Sequence, residues 1–430
     1  MRFFKFNRTL VKETFVYTAT DAIGKGVSFI ILPIVSYYIL PDEMGIVTNF
    51  SVLTTIITLL AGQAVVNSLP FFFYEQTKEE NRSFVSNLLL ICTTLCVTSL
   101  LFVLFFHSLI ESYLQISLKI QLLSVIAVIA GLVNSLSFII LRLENKSFTF
   151  AKVQITQIVL HAVLVVLLVI VLGFGGFGKI LSEVFASLLI AGFNLFSLFR
   201  KGYLCFEVKK DVIERLLKFG LPLLPHSLSF WLKSGMDKVF ITTYCGLYQN
   251  GIYSTAVTIT SLYSLVTHSF FSAYTPYLQK RLSLMTEENE KDEKLRLVKL
   301  TYLLMAAFFI VALLAIFAAW VILFYIYDNK YEEAFQFVPG LILGLYIYAI
   351  YSFTIQFIYK KKKTLVMGII TFTGSIVQML FSYYCVSHYG TVGAVWSSIL
   401  GSTLVSIAIF VYSNKVYPMP WLGFLRLKKK

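Results

Sequence analysis

The side chains best suited to chemistry in this 430-residue chain are the charges that interrupt its long apolar runs. Lys25 falls near the middle of the first run and Lys233 near the middle of the run that opens the second half; Asp21 and Asp237 stand four residues from them. A charge at bilayer depth costs several kcal/mol, so it faces protein or water and has a use. On a helix Thr14, Thr18, Asp21, Lys25 and Ser28 share one face, and His226, Ser229, Lys233 and Asp237 share another. Two readings follow. Either each Asp–Lys pair neutralises itself and joins helices, or both stripes line a hydrated cavity in which ammonium groups too deep to snorkel hold an anion. Lys238 lies nearer the outer end of its run and reads equally well as interfacial. Glu183, a lone acid early in its run, suits a coupling cation or plain hydration, so Asp21, Asp237 and Glu183 are the candidates for charge pairing or coupling. Weaker polar faces are formed by Gln63 with Asn67, by Gln154, Gln157 and His161, and by Ser264 with His268; bonding between helices accounts for such faces as well as cavity lining does. A Gly-rich phosphate loop, HExxH and G-x-S-x-G are all missing, and the five histidines are scattered, so neither an enzyme nor a metal site is expected.

The elements that must hold these groups are membrane helices. With 58% hydrophobic and 13% charged residues and a mean hydropathy of +0.80, the chain is outside the range of soluble domains. Apolar runs long enough to cross a bilayer recur throughout, without strand-like alternation. Twelve spans are predicted, near residues 15–40, 45–72, 84–107, 120–141, 150–172, 180–199, 219–244, 251–278, 298–325, 337–359, 365–386 and 392–411. Of the 36 basic residues all but Lys25, Lys119, Lys179, Lys233, Lys238 and Lys330 then fall in alternate loops on one side. By the positive-inside rule that side is cytoplasmic and holds both termini. The net charge of +14 is therefore topological, and nucleic acid is not an expected partner. Asp21 and Lys25 also break the early apolar run in a way a cleaved signal would not, which marks an uncleaved first span. Five cysteines without CxxC spacing read as small core residues.

An internal repeat organises the spans. A shift of 206 residues lays Gly45, Ile46, Thr54, Leu59 and Pro70 on Gly251, Ile252, Thr260, Leu265 and Pro276, and a shift of 215 lays Gly175, Gly178 and Ser182 on Gly390, Gly393 and Ser397. Six spans per half is an even number, so the halves share one orientation about a pseudo-two-fold axis along the membrane normal and leave a cavity between them. The expected architecture is an all-α integral membrane protein with an N-terminal six-helix lobe at 1–199, a cytoplasmic amphipathic connection at 200–218, a C-terminal six-helix lobe at 219–413 and a basic interfacial tail at 414–430. In the connection Val212, Ile213, Leu216 and Leu217 share a face suited to the interface. Residues 279–299 read as a solvated mixed-charge loop, Trp421 and Phe424 with the terminal lysines as an anchor on an anionic leaflet, and Gly340 with Gly344 as a site of close helix approach.

The segments YILPDEMGIVTNF, FGLPLLPHSLSFWLKSGMDKVFITTYCGLYQNGIYS and YGTVGAVWSSILG make the chain similar to the polysaccharide-biosynthesis branch of the multidrug/oligosaccharidyl-lipid/polysaccharide exporters, and more narrowly to Wzx-type O-antigen or capsule flippases. The resemblance covers nearly the whole chain. It implies a two-lobed transporter of the bacterial cytoplasmic (inner) membrane that moves undecaprenyl-diphosphate-linked oligosaccharide by alternating access. Its partners would be that lipid-linked substrate, membrane lipids and other glycan-assembly membrane proteins, and it would need no cofactor beyond an H⁺ or Na⁺ coupling ion. Lys25 and Lys233 would meet the diphosphate; the cavity arginines of some family members have no counterpart mid-span here. Two alternatives stand beside this reading: a cation-coupled drug exporter of the same superfamily, and a membrane-embedded glycan transferase or polymerase, which would normally carry a larger polar loop than any present.

Overall fold

The computed structural model describes residues 8–205, 207–286, 289–361 and 363–423. The basic residues Arg2, Lys5 and Lys362 and the tail from 424 to 430 lie outside the described residues, as do the side chains of Thr14, Ser28 and His226. All secondary structure among the described residues is helical. Six long helices form the first half: α1 Arg8–Ser36, α2 Pro41–Phe72, α3 Lys78–Phe105, α4 Leu118–Leu143, α5 Ser147–Val171 and α6 Gly175–Arg200. A connecting helix, Lys210–Gly220, leads to α7 Leu224–Ser234, α8 Met236–Ser283, α9 Glu290–Ile326, α10 Asn329–Lys360, α11 Thr364–Tyr389 and α12 Thr391–Val416. Among the described residues, ten of these helices are long and apolar enough to cross a membrane. Their surfaces carry large exposed apolar side chains, such as Leu101, Phe105, Ile310, Leu314 and Phe317, as expected where the solvent is acyl chain.

Helix α7, at 11 residues, is too short for that measure, and α8 falls below it in apolarity because its first 30 residues carry many Thr, Ser, Tyr, Gln and Asn side chains besides Asp237 and Lys238. Helix α8, at 48 residues, is interrupted at Gly246, whose φ of 88° and ψ of 173° break the helix between the predicted seventh and eighth spans. The 206-residue shift lays Gly246 on Leu40, the extended residue between α1 and α2. There Pro41 occupies the first helical position and the Glu43 carboxylate accepts the Leu40 N–H at 3.1 Å, so the local sequence itself starts α2. At the second break Asn250 donates to the Thr242 hydroxyl at 2.9 Å, and both side chains are fully buried.

The chain divides into two compact units, residues 1–231 and 232–430. In the first, α1 packs on α5, α2 on α4 and α6, α3 on α4, and both α4 and α5 on α6. In the second, α9 packs on α10, both α10 and α11 pack on α12, and α8 packs on α10, α11 and α12. The pairing scheme is the same, with α8 alone making the contacts that α1 and α2 divide between them. Detail repeats as well. Gly175 and Gly390 both take positive φ, 54° and 65°, at the starts of α6 and α12. Seven residues on, Ser182 donates to the Lys179 carbonyl at 2.7 Å and Ser397 to the Ala394 carbonyl at 2.8 Å. Gly340 and Gly344 let α10 approach Val395 and Ser398 of α12 closely.

Two expectations change. Residues 279–299 are mostly helix, because α8 runs to Ser283 and α9 starts at Glu290. Their charges pair along and between these ends: Glu290 with Lys294 at 2.7 Å, and Glu293 with both Arg296 at 2.9 Å and Arg281 at 3.3 Å. The connection after α6 does not lie free on the interface either. Ser86 of α3 donates to the Tyr203 carbonyl and accepts the Cys205 N–H, while Asn87 donates to the Glu207 carbonyl and accepts the Lys209 N–H. Its helix then buries Leu216 and packs Gly220 on Val65 and Phe219 on Phe71 and Phe72 of α2. Behind it Glu144 takes Lys146 at 2.9 Å, Lys201 at 3.1 Å and the Tyr203 hydroxyl at 2.7 Å. Burial alone would raise the Glu144 carboxyl, but these three bonds outweigh it and hold the group below the usual carboxylate range. All of these contacts lie within the first unit.

Candidate functional site

In the first unit the α1 stripe exposes Asp21 and Lys25. Asp21 does not pair with Lys25; it accepts a hydrogen bond from Gln154 of α5 at 3.0 Å. In the second unit Asp237 is buried and accepts the Ser382 hydroxyl of α11. Lys233, half-buried, lies one helical turn earlier; the intervening Gly235 keeps helical angles, φ −92° and ψ −43°. Its ammonium sits 5.1 Å from the centre of the Tyr348 ring, and its carbonyl accepts from Gln378 at 3.5 Å. None of the ion pairs among the described residues involves Asp21, Lys25, Lys233 or Asp237.

The two stripes therefore solve the same problem in the same way. In each unit the acid bonds a neutral donor on a neighbouring helix, and neither lysine forms an ion pair among the described residues. Lys25 is exposed, and Lys233 is half-buried with the Asp237 charge one turn away. Helix-joining Asp–Lys pairs are not what the chain builds here. Lys238, in the first turn of α8, donates to the Ser234 carbonyl at the end of α7 at 3.2 Å.

The remaining candidates separate into groups. Gln63 donates to Asn67 at 3.0 Å and to Ser135 of α4 at 3.1 Å, so this pair joins α2 to α4. Gln157 is half-buried on the same α5 face as Gln154, and the buried His161 Nε2 has no hydrogen-bond partner. Glu183 is exposed on α6, one turn beyond Lys179, whose ammonium lies 3.4 Å from the Met44 thioether. His268 is exposed on α8 and contributes its carbonyl to Ser272 at 2.8 Å. The described residues hold no cluster of His, Cys, Asp and Glu able to bind a metal ion.

Sequence reasoning missed the α11 partners. Ser375, Gln378 and Ser382 are all buried and recur at three- and four-residue steps facing α7 and α8, and the Gln378 side-chain carbonyl is buried without a donor. Their spacing was readable, but uncharged polar residues in an apolar run gave no reason to rank them.

Two helical units with matching internal pairing and acyl-facing surfaces define a multi-pass membrane protein. The fold agrees: a multidrug resistance MATE family transporter of the MOP superfamily, in an inward-facing conformation, superposes with a TM-score of 0.71 at 18% identity, covering 94% of this chain and 96% of that one. The lipid II flippase MurJ, in an inward closed conformation, gives 0.70 at 15% identity over 96% and 89% of the two chains. The chain belongs to the family described as polysaccharide biosynthesis protein, whose signature matches residues 10–282. A protein of the Lsg locus of Haemophilus influenzae is 20% identical over 285 residues, 63% of this chain and 66% of that protein, so the chain spans just under two thirds of this relative's length.

Proposed function

We propose that the protein is a flippase that carries undecaprenyl-diphosphate-linked oligosaccharide from the inner to the outer leaflet of the bacterial cytoplasmic membrane by alternating access, for O-antigen or capsule assembly. The observation that carries this reading is that Lys25 and Lys233 lie in membrane helices with their neighbouring acids bonded elsewhere, to Gln154 and Ser382. Each lysine, within its own unit, presents an ammonium suited to a phosphate group. Membership of a polysaccharide biosynthesis family and the fold shared with a lipid II flippase support the same substrate class. A cationic drug would meet two unpaired lysines, which disfavours the exporter alternative. Both termini are cytoplasmic in this proposal, which sets the basic loop ends inside. Asp21, Asp237 and Glu183 are the groups at which an H⁺ or Na⁺ gradient would act.

The test is glycan export. In cells dependent on this protein, Lys25→Ala and Lys233→Ala should each abolish surface glycan while the protein stays inserted and abundant. Normal surface glycan in both variants would refute the assignment of these lysines to the substrate.

A further inference from the structure

Two side chains from different helices hold Lys233 and Asp237 apart. On the helical turn that joins α7 to α8, an ammonium and a carboxylate four residues apart lie within reach of each other. Among the described residues they nevertheless form no ion pair. Asp237 accepts the Ser382 hydroxyl of α11. The Lys233 ammonium lies over the ring of Tyr348 on α10, 5.1 Å from its centre. The Lys233 carbonyl accepts from Gln378 at 3.5 Å, which ties the backbone at this point to α11 and leaves the choice of partner to the side chain.

The ring is itself firmly placed. Tyr348 stacks on the buried Tyr351, with centres 5.0 Å apart and planes 24° from parallel. It packs as well against the buried cluster that Tyr351 forms with Ile355, Ile358, Val405 and Ile409 of α10 and α12. The other cation–ring contacts among the described residues use Lys12, Arg142, Arg200, Arg281, Lys294 and Lys361, all from the alternate loops that collect most of the basic residues. The contact of Lys233 is the one that falls within a predicted span. The face of an aromatic ring attracts an ammonium through its quadrupole and carries no net charge. Such a partner holds Lys233 off Asp237 and still yields the ammonium to an anion more readily than a carboxylate would.

We propose that Tyr348 is a positioning residue for Lys233: its ring holds the ammonium away from Asp237 and so keeps it available to the substrate. The consequence for transport rests on the flippase reading above, in which Lys233 meets the substrate phosphate. Ser382 and Tyr348 are then two halves of one separation, α11 holding the acid and α10 the ammonium.

Flipping of undecaprenyl-diphosphate-linked oligosaccharide by the full-length protein in proteoliposomes, measured over a range of substrate concentrations, tests the proposal. Without the ring the ammonium turns to Asp237, so Tyr348→Leu should raise the concentration for half-maximal flipping about tenfold and leave the maximal rate unchanged. Tyr348→Phe keeps the ring and should retain affinity, and adding Asp237→Asn to Tyr348→Leu should restore it. A ring that merely fills space gives a different result: unchanged affinity in Tyr348→Leu, or a loss that removing the acid does not repair, and either overturns the proposal. The contact itself is read separately by NMR of the protein with its lysines dimethylated with carbon-13, a change that preserves their charge. The Lys233 methyl signal, identified by its loss in Lys233→Arg, should be shifted upfield by the ring, and the shift should persist in Tyr348→Phe. An unshifted signal overturns the proposal even if Tyr348→Leu fails to fold. Normal flipping by Lys233→Ala with the upfield signal present would refute the transport assignment and leave the positioning of Lys233 supported.

Discussion

Replacing Ser382 with alanine isolates the device that keeps a carboxylate away from Lys233. The Ser382 hydroxyl donates to Asp237, and the acceptor is buried. Hydrogen bonds to charged groups contribute about 1.5–3 kcal/mol, and a buried carboxylate left without its donor bears the desolvation cost alone. Asp237 can recover that cost by turning to Lys233, its neighbour one turn earlier. The ammonium would then carry its own counter-charge, and a loss of about 1.4 kcal/mol in its pull on an anion is a tenfold loss of affinity. Ser382→Ala should therefore raise the substrate concentration for half-maximal flipping in proteoliposomes about tenfold. Asp237→Asn removes the competing charge, so its substrate affinity should stay near wild type whatever its effect on coupling, and adding it to Ser382→Ala should restore affinity. If Ser382→Ala flips with unchanged affinity, or if Asp237→Asn loses substrate affinity as Lys233→Ala does, the argument from a freed lysine fails.

Two further variants test the frame. A methyl group at Gly393 would overlap the Cys385 carbonyl oxygen, which is backbone and unable to step aside, whereas one at Gly368 meets nothing within 4 Å; Gly393→Ala should cut the yield of monodisperse protein sharply and Gly368→Ala should leave it unchanged. Glu144→Gln should loosen the connecting segment and speed limited proteolysis between 203 and 209 about tenfold, as expected for a loss of about 1.4 kcal/mol. Because the Glu144 carboxyl is held below its ordinary value, its contribution is present above the unfolded carboxyl pKa of about 4.3 and is lost as the pH falls through the lowered folded value. The wild type should accordingly approach the variant's cleavage rate in acid.

The spans were legible because lipid imposes length and apolarity together, and the repeat was legible because Gly175, Gly178 and Ser182 recur as Gly390, Gly393 and Ser397. The helical nature of 279–299 was not, since a dense run of alternating charge satisfies solvent in either state. Glu290 and Lys294 sit at helical spacing, but only the structure shows the ion pair that uses it. The partners of the acids were hidden for a different reason. Gln154 is 133 residues from Asp21, and Ser382 is 145 from Asp237. Spacing along one helix identifies Lys25 as the natural partner of Asp21, and it gives no warning that another helix will compete. Gln154 was nevertheless ranked as polar lining, because its face also carries Gln157 and His161. Ser382 shares its face only with Gln378 and Ser375, and it was passed over.

The fastening of the connecting segment bears on how the protein is made. Ser86, Asn87 and Glu144, which hold the segment around Tyr203, Glu207 and Lys209, and the α2 residues under the helix Lys210–Gly220 have left the ribosome by the time that helix emerges. The first unit can therefore latch shut before α8 is synthesised, and need not wait for the second to reach its native packing. Truncation after the connecting helix should yield a folded six-helix half, whereas truncation at the end of α6 should leave α3 and the C-terminal end of α2 without their cover.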